Sequence, residues 1–259
     1  MFKLLKFIFK LLLLLLLITI IGTIVIGFVA YDYSGPKFDN QHLDNYPTME
    51  EETTKSLITS FKKIKANNYD DEHNLVTISY KGDDELGFKS INREIVEHVE
   101  LTNGYIYDGG AIKIRNVLVC PHHDNDYNIA LRLDIEAIGF YKAAVKLYGK
   151  AKYQDGDIIA TFDKYNVGVL PVFKFIVDAL PLDKIITGDI FNIYKDKTGI
   201  ICTIDLDYLL INRALKGANS VILAVLGLNK TVEFNEKSLD IKINTKSTFS
   251  PLNPVPVLI

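Results

Sequence analysis

The spacing of apolar residues changes character repeatedly along the chain. The first stretch has no period at all. Leu11 to Tyr31 (LLLLLLLITIIGTIVIGFVAY) carries no charge, and at 1.5 Å per residue such a helix reaches across roughly 30 Å of hydrocarbon. From Thr48 the spacing becomes helical. Thr48 is placed to cap a helix whose first turn is acidic (TMEEETTKSLITSFKKI), and Leu57, Ile58, Phe61 and Ile64 predict its apolar face. A second helix is expected near Ser90 in KSINREIVEHVEL, with Ile91, Ile95, Val96, Val99 and Leu101 as its stripe. His98 falls near its C-terminal end, where a solvated imidazole suits the dipole.

After Asn103-Gly104 the period shortens to two. Ile129, Leu131, Leu133 and Ile135 alternate with Ala130, Arg132, Asp134 and Glu136, which predicts a half-buried strand. Tyr141, Ala143, Val145, Leu147, Ala151 and Tyr153 then share one face, and Lys142, Lys146, Lys150 and Lys152 share the other. The tight turn Gln154-Asp155-Gly156-Asp157 leads into a third strand, DIIATFDKYNVGV, completing an antiparallel meander. Pro171 and Pro181 bracket a predicted helix bearing Val172, Phe173 and Ile176. Strands return at DIFNIYKDKTGIICTIDL, followed by the short helix DYLLINRAL, an undecided SVILAVLGL, the hairpin KTVEFNEKSLDIKINTK and an extended PLNPVPVLI. The order predicts an α+β fold with one large curved antiparallel sheet wrapped around one or two helices.

Charge places the termini. Lys3, Lys6 and Lys10 precede the apolar run and Asp32 follows it, so the N-terminus is expected in the cytoplasm and the rest outside. A cleaved signal peptide has a shorter apolar run and small residues at its cleavage site, whereas Phe28-Val29-Ala30 offers a bulky one. The expected organisation is a cytoplasmic stub and uncleaved single-pass anchor over 1–31, a polar tether over 32–47 (DYSGPKFDNQHLDNYP from Asp32), and an exported domain over 48–259. Setting the three lysines aside leaves 26 basic residues against 32 acidic ones. An acidic exported part is not the footprint of a nucleic-acid binder. Two cysteines make no disulfide framework. The lysine-, asparagine- and isoleucine-rich composition fits an AT-rich bacterial genome.

The densest chemistry is VCPHHDNDY, Val119 to Tyr127. His122, His123 and Asp124 are ligand-type residues, yet adjacent histidines point to opposite faces of an extended chain. The segment joins two strands and is read as a hydrated turn, with a metal site as the weaker alternative. No nucleophile elbow, phosphate-binding loop or dinucleotide fingerprint is present, and no cofactor is expected.

A strand cysteine with histidine and arginine in an anchored, β-rich protein is similar to the sortase-type transpeptidases. Cys202, His122 or His123, and Arg213 would then be nucleophile, imidazole partner and oxyanion stabiliser. Gly199-Ile200-Ile201-Cys202 departs from the threonine-rich context of the sortase cysteine, and a small buried hydrophobe is the preferred reading of Cys202.

A wider resemblance comes from the N-terminal anchor, the Ile91-Asn92-Arg93 helix opening, and the run KLYGKAKYQDGDIIATFDKYNVGVLPVFKFIVDAL. These resemble the YpmS-like proteins of Gram-positive bacteria, which are similar to the tubular lipid-binding (TULIP) superfamily. The likeness covers about half of the exported chain and departs at the polar segment Asp70–Glu85 and at the CPHHDND loop. It implies a curved sheet around a helix, with an apolar groove for an acyl chain formed by Ile129, Leu131, Leu133, Ile135, Val145, Leu147, Val172, Phe173 and Ile176. The lysine row would face anionic headgroups. The function so implied is non-catalytic lipid or amphiphile binding in the cell envelope. The alternatives are a ligand-free scaffold for partner proteins and the cysteine- or metal-dependent enzyme.

Overall fold

A computed structural model describes residues 2–31, 37–66, 75–168, 170–171, 188–197, 199–216 and 230–244. Helix α1 (Phe2–Ala30) contains the long apolar run. Among the described residues no helix is long and apolar enough to cross a membrane.

Helix α2 (Met49–Ala66) begins where the sequence predicts. Thr48 Oγ1 accepts from the Glu51 amide at 3.1 Å and Glu51 Oε2 accepts from the Thr48 amide at 2.9 Å, a reciprocal capping box. Its expected apolar face is corrected: Ile58 and Phe61 are exposed, and the side turned inward carries Met49, Thr53 and Ser60, with Leu57 beside them. The reason is the partner of α2, strand β1 (Leu75–Asp83). Ser60 Oγ donates to the Thr77 carbonyl (2.9 Å) and accepts from its amide (3.1 Å), and Ser56 makes the same pair with Ser79 (3.3 and 3.2 Å). Two serines one helical turn apart thus satisfy the free edge of a strand, where apolar side chains would leave its backbone unpaired.

Strand β2 (Gly87–Phe88) and helix α3 (Lys89–Glu97) follow, and Ile91, Ile95 and Val96 of α3 are buried as their spacing predicts. Short β3 (Tyr107–Asp108) opens the meander of β4 (Ile112–Pro121), β5 (Ile129–Ala137), β6 (Tyr141–Gln154) and β7 (Asp157–Val167). Then come β8 (Leu170–Pro171), β9 (Phe191–Lys195), β10 (Ile200–Asp205), helix α4 (Leu206–Leu209, continued by a π-helical turn Leu210–Ala214), β11 (Lys230–Phe234) and β12 (Ser238–Asn244).

The fold is α+β, with antiparallel sheets curled as half-barrels. Among the described residues there are two sheets where the sequence predicts one. The larger runs β3-β4-β5-β6-β7-β10-β9, with β8 paired to β7; the smaller runs β11-β12-β1-β2. Bulges between Ile114 and Asn116 and between Tyr148 and Gly149 bend the larger sheet. In the smaller one, Val76, Ile78 and Tyr80 face Ile243, Ile241 and Leu239 across the β1–β12 pairing, and all six are buried. One hydrophobic cluster joins both sheets.

Three further expectations change. Part of the tether is packed down: Phe38 is fully buried and stacked on Tyr46 (4.2 Å between ring centres), and Asn40 donates to the Gly104 and Arg115 carbonyls. Strand β5 is accordingly buried on both faces rather than one. Arg132 Nε donates to Asp134 Oδ1 (2.7 Å), and Asn116 Nδ2 donates to Asp134 Oδ2 and to the Phe38 carbonyl (both 2.9 Å). Pro171, expected in the first turn of a helix, pairs with Asn166 in β8. The remainder of that helix (172–181), SVILAVLGL and PLNPVPVLI lie outside the described residues.

Candidate functional site

The β5 and β6 residues that the sequence assigns to an apolar groove lie on the core face of the larger sheet. Register sets Leu131 opposite Leu147, Leu133 opposite Val145, Ile129 opposite Gly149 and Ile135 opposite Ala143. Leu131, Leu133 and Leu147 are completely enclosed, Ile129 and Val145 nearly so, and Ile135 is half-buried. These six residues therefore share one face, within the protein's own core. The other three groove residues, Val172, Phe173 and Ile176, lie outside the described residues.

Strand alternation carries the same face to Tyr141, two residues before Ala143. There it meets α1. Tyr141 Oη donates to the Gly27 carbonyl at 2.9 Å, and the Tyr31 and Tyr141 rings touch edge to face with centres 5.6 Å apart. Gly27 is within the last turn of α1, where carbonyls lack helical partners, so the tyrosine hydroxyl satisfies a group that otherwise needs water. The C-terminal end of the apolar helix is thereby fastened to the rim of the sheet's apolar face. Residues 141 and 27 are too far apart in sequence for spacing to reveal this junction.

The CPHHDND segment is a turn. Asp124 Oδ1 accepts from the amides of Asp126 (2.8 Å) and Tyr127 (2.6 Å), which hold its carboxyl down at about 2. His122 Nε2 stands 3.1 Å from Asp124 Oδ2, and its ring packs on Tyr148. His123 is exposed. Among the described residues no group of three or more histidine, cysteine, aspartate or glutamate side chains converges as metal ligands do.

Both cysteines are free and buried. Burial pushes the Cys120 thiol up to about 12 and the Cys202 thiol up as well, so neither supplies a thiolate at neutral pH. Cys120 on β4 and Cys202 on β10 are separated by β5, β6 and β7. Arg213 is engaged elsewhere: its Nη2 is 2.6 Å from His98 Nε2 and its Nε 3.4 Å from Glu94 Oε2, a buried carboxyl pushed up by desolvation. The transpeptidase set is thus divided between β10, the turn after β4, and the π-helical turn after α4.

A cleft of about 480 Å³ runs between α2 and β1, lined by Glu51, Lys55, Ser56, Ser60, Ser79 and Lys81 among others. Sequence reading misses it because β1 lies in the segment taken as a polar departure. Its signal was available in the alternation of Val76, Ile78 and Tyr80 with Thr77, Ser79 and Lys81. Ser56 and Ser60 are committed to the strand edge, and Ser79 Oγ donates to Asp240 Oδ1. On the far face of the larger sheet Lys142, Lys150 and Lys152 are exposed and Lys146 half-buried. Comparison with known proteins finds no family model, no curated protein and no solved structure that matches this chain.

Proposed function

We propose that this is a single-pass envelope protein, N-terminus in the cytoplasm, whose extracytoplasmic domain binds a lipid or other amphiphile on the apolar face of its curled sheet, without covalent chemistry. The junction between α1 and β6 carries the reading. A helix carrying the uncharged stretch Leu11 to Ala30 is tied through Tyr141 to the face that continues into Val145 and Leu147. An acyl chain leaving the outer leaflet beside α1 reaches Tyr141, at the rim of that face, first. Apolar contact contributes about 25 cal/mol per Å², so a long chain gains several kcal/mol with no specific polar partner. The likeness to the YpmS-like and tubular lipid-binding proteins supports the same assignment.

Enclosure of Leu131, Leu133 and Leu147 favours one rival, a sealed domain that serves as a scaffold for partner proteins. Native mass spectrometry of the full chain, washed free of lipid in detergent and then exposed to membrane extract, separates the two. Amphiphile binding requires a defined mass increment that survives further washing. Uptake no greater than that of an unrelated single-pass protein assigns the scaffold.

A further inference from the structure

Among large apolar side chains of described exposure, the most exposed are not on α1. They are Ile138 (73%) and Phe140 (69%), against at most 60% for the leucines and isoleucines of α1. Both lie in the three-residue loop Ile138-Gly139-Phe140 that joins β5 to β6.

This loop is built against local preference. Ile138 has φ 55 and Gly139 φ 76. Glycine takes that region freely, whereas a β-branched side chain rarely does, and hairpin loops usually place asparagine, aspartate or glycine there. The loop is held in this shape by hydrogen bonds from the Ile138 amide to the Ala111 carbonyl (2.8 Å) and from the Phe140 amide to the Ala137 carbonyl (3.3 Å). A backbone that favours a small polar residue instead displays an isoleucine to solvent. Non-glycine residues held in this region cluster at functional sites. Next to the loop, Ile112, opposite Ala137, is itself partly exposed.

Position supplies the occupant. Tyr141 directly follows Phe140, and it is the residue that binds the Gly27 carbonyl and touches Tyr31 at the end of α1. Tyrosines concentrate at the level where helices leave the hydrocarbon, with the ring in apolar surroundings and the hydroxyl on a polar group. The loop therefore stands at the depth where α1 emerges. The geometry points to Ile138 and Phe140 as a second membrane contact, a wedge seated at the headgroup–acyl boundary of the outer leaflet, so that α1 and the β5–β6 tip together hold the sheet's apolar rim against lipid. This inference rests on the reading of α1 as an anchor.

The test uses the full chain in phosphatidylcholine vesicles. Because Cys120 and Cys202 are buried, an environment-sensitive fluorophore can be directed to single introduced cysteines: Ile138→Cys, Phe140→Cys, Leu17→Cys within α1, and Lys237→Cys in the β11–β12 turn. Spin-labelled lipids of graded depth then serve as quenchers. The wedge requires blue-shifted emission at 138 and 140 with strongest quenching by shallow labels, deep quenching at 17 and none at 237. Quenching at 17 without any at 138 and 140 overturns the wedge and leaves the anchor standing; a partner protein would then be the occupant of the tip. No quenching at 17 overturns both. In a second arm, Ile138→Asn relieves the backbone and removes the apolar group. It keeps or raises the melting temperature while quenching at the Phe140→Cys label falls roughly twofold; unchanged quenching counts against the wedge.

Discussion

Replacing Asn92 with alanine removes a hydrogen-bonded bracket between the two sheets. Asn92 is wholly buried on α3. Its Nδ2 donates to the Leu86 carbonyl at 3.0 Å and the Val119 carbonyl at 3.1 Å, and its Oδ1 accepts from the Val119 amide at 2.8 Å. The amide therefore joins the turn before β2, in the smaller sheet, to β4 in the larger one. Each such bond contributes about 1 kcal/mol net, and a buried backbone group left without a partner costs about 1–3 kcal/mol. Alanine deletes three bonds and strands the amide and carbonyl of Val119, so the expected loss is on the order of 4 kcal/mol, a large part of a typical domain's 5–15 kcal/mol. Asn92→Asp keeps the acceptor for the Val119 amide but turns an oxygen toward two carbonyls, and is expected to cost at least as much. Urea unfolding of the full chain in detergent, followed by β-sheet circular dichroism and by the fluorescence of its 14 tyrosines, measures the loss. A change below about 1 kcal/mol for alanine, at unchanged slope, refutes the bracket. Gly87→Ala approaches the same joint from the other side, because a Cβ there would collide with the Val119 carbonyl and the Asn92 amide.

Thr48→Ala opens the capping box of α2 and is expected to cost about 1 kcal/mol by the same measurement, whereas Thr48→Ser retains most of it. Both cysteines should resist an aromatic disulfide reagent at pH 8 in the folded protein and react fully in urea, since burial disfavours both thiolates; fast reaction of either one in the native state contradicts their placement. Glu52, whose Oε2 accepts from Ser90 Oγ, is raised above its ordinary 4.5 by burial. Its contribution to stability is therefore present below pH 4.5 and lost as the pH rises through the raised value. Relative to the natural protein, Glu52→Gln should gain melting temperature between pH 4 and 7, and a difference that stays constant with pH rules this out.

Local pattern and tertiary placement divide the structure between them. Elements whose own period matches their final environment were legible in the chain: the capped start of α2, the buried face of α3, the β5–β6–β7 meander, and the β11–β12 hairpin with Leu239, Ile241 and Ile243 inside. The inward face of β5 and β6 was legible to the same extent, because Ile129, Leu131, Leu133, Val145 and Leu147 repeat every second residue and all face inward. Period alone does not say what lies across from a face. That α2 turns serines inward follows from the open edge of β1. That Arg132 and Asp134 are buried follows from Phe38 and Asn116 closing over them. That α1 ends at Tyr141 follows from an unsatisfied helix carbonyl meeting a hydroxyl 114 residues away in sequence. A sequence states which side of each strand avoids water, since that depends on its own side chains. Which surface arrives to cover it depends on contacts between distant segments, and only their packing decides that.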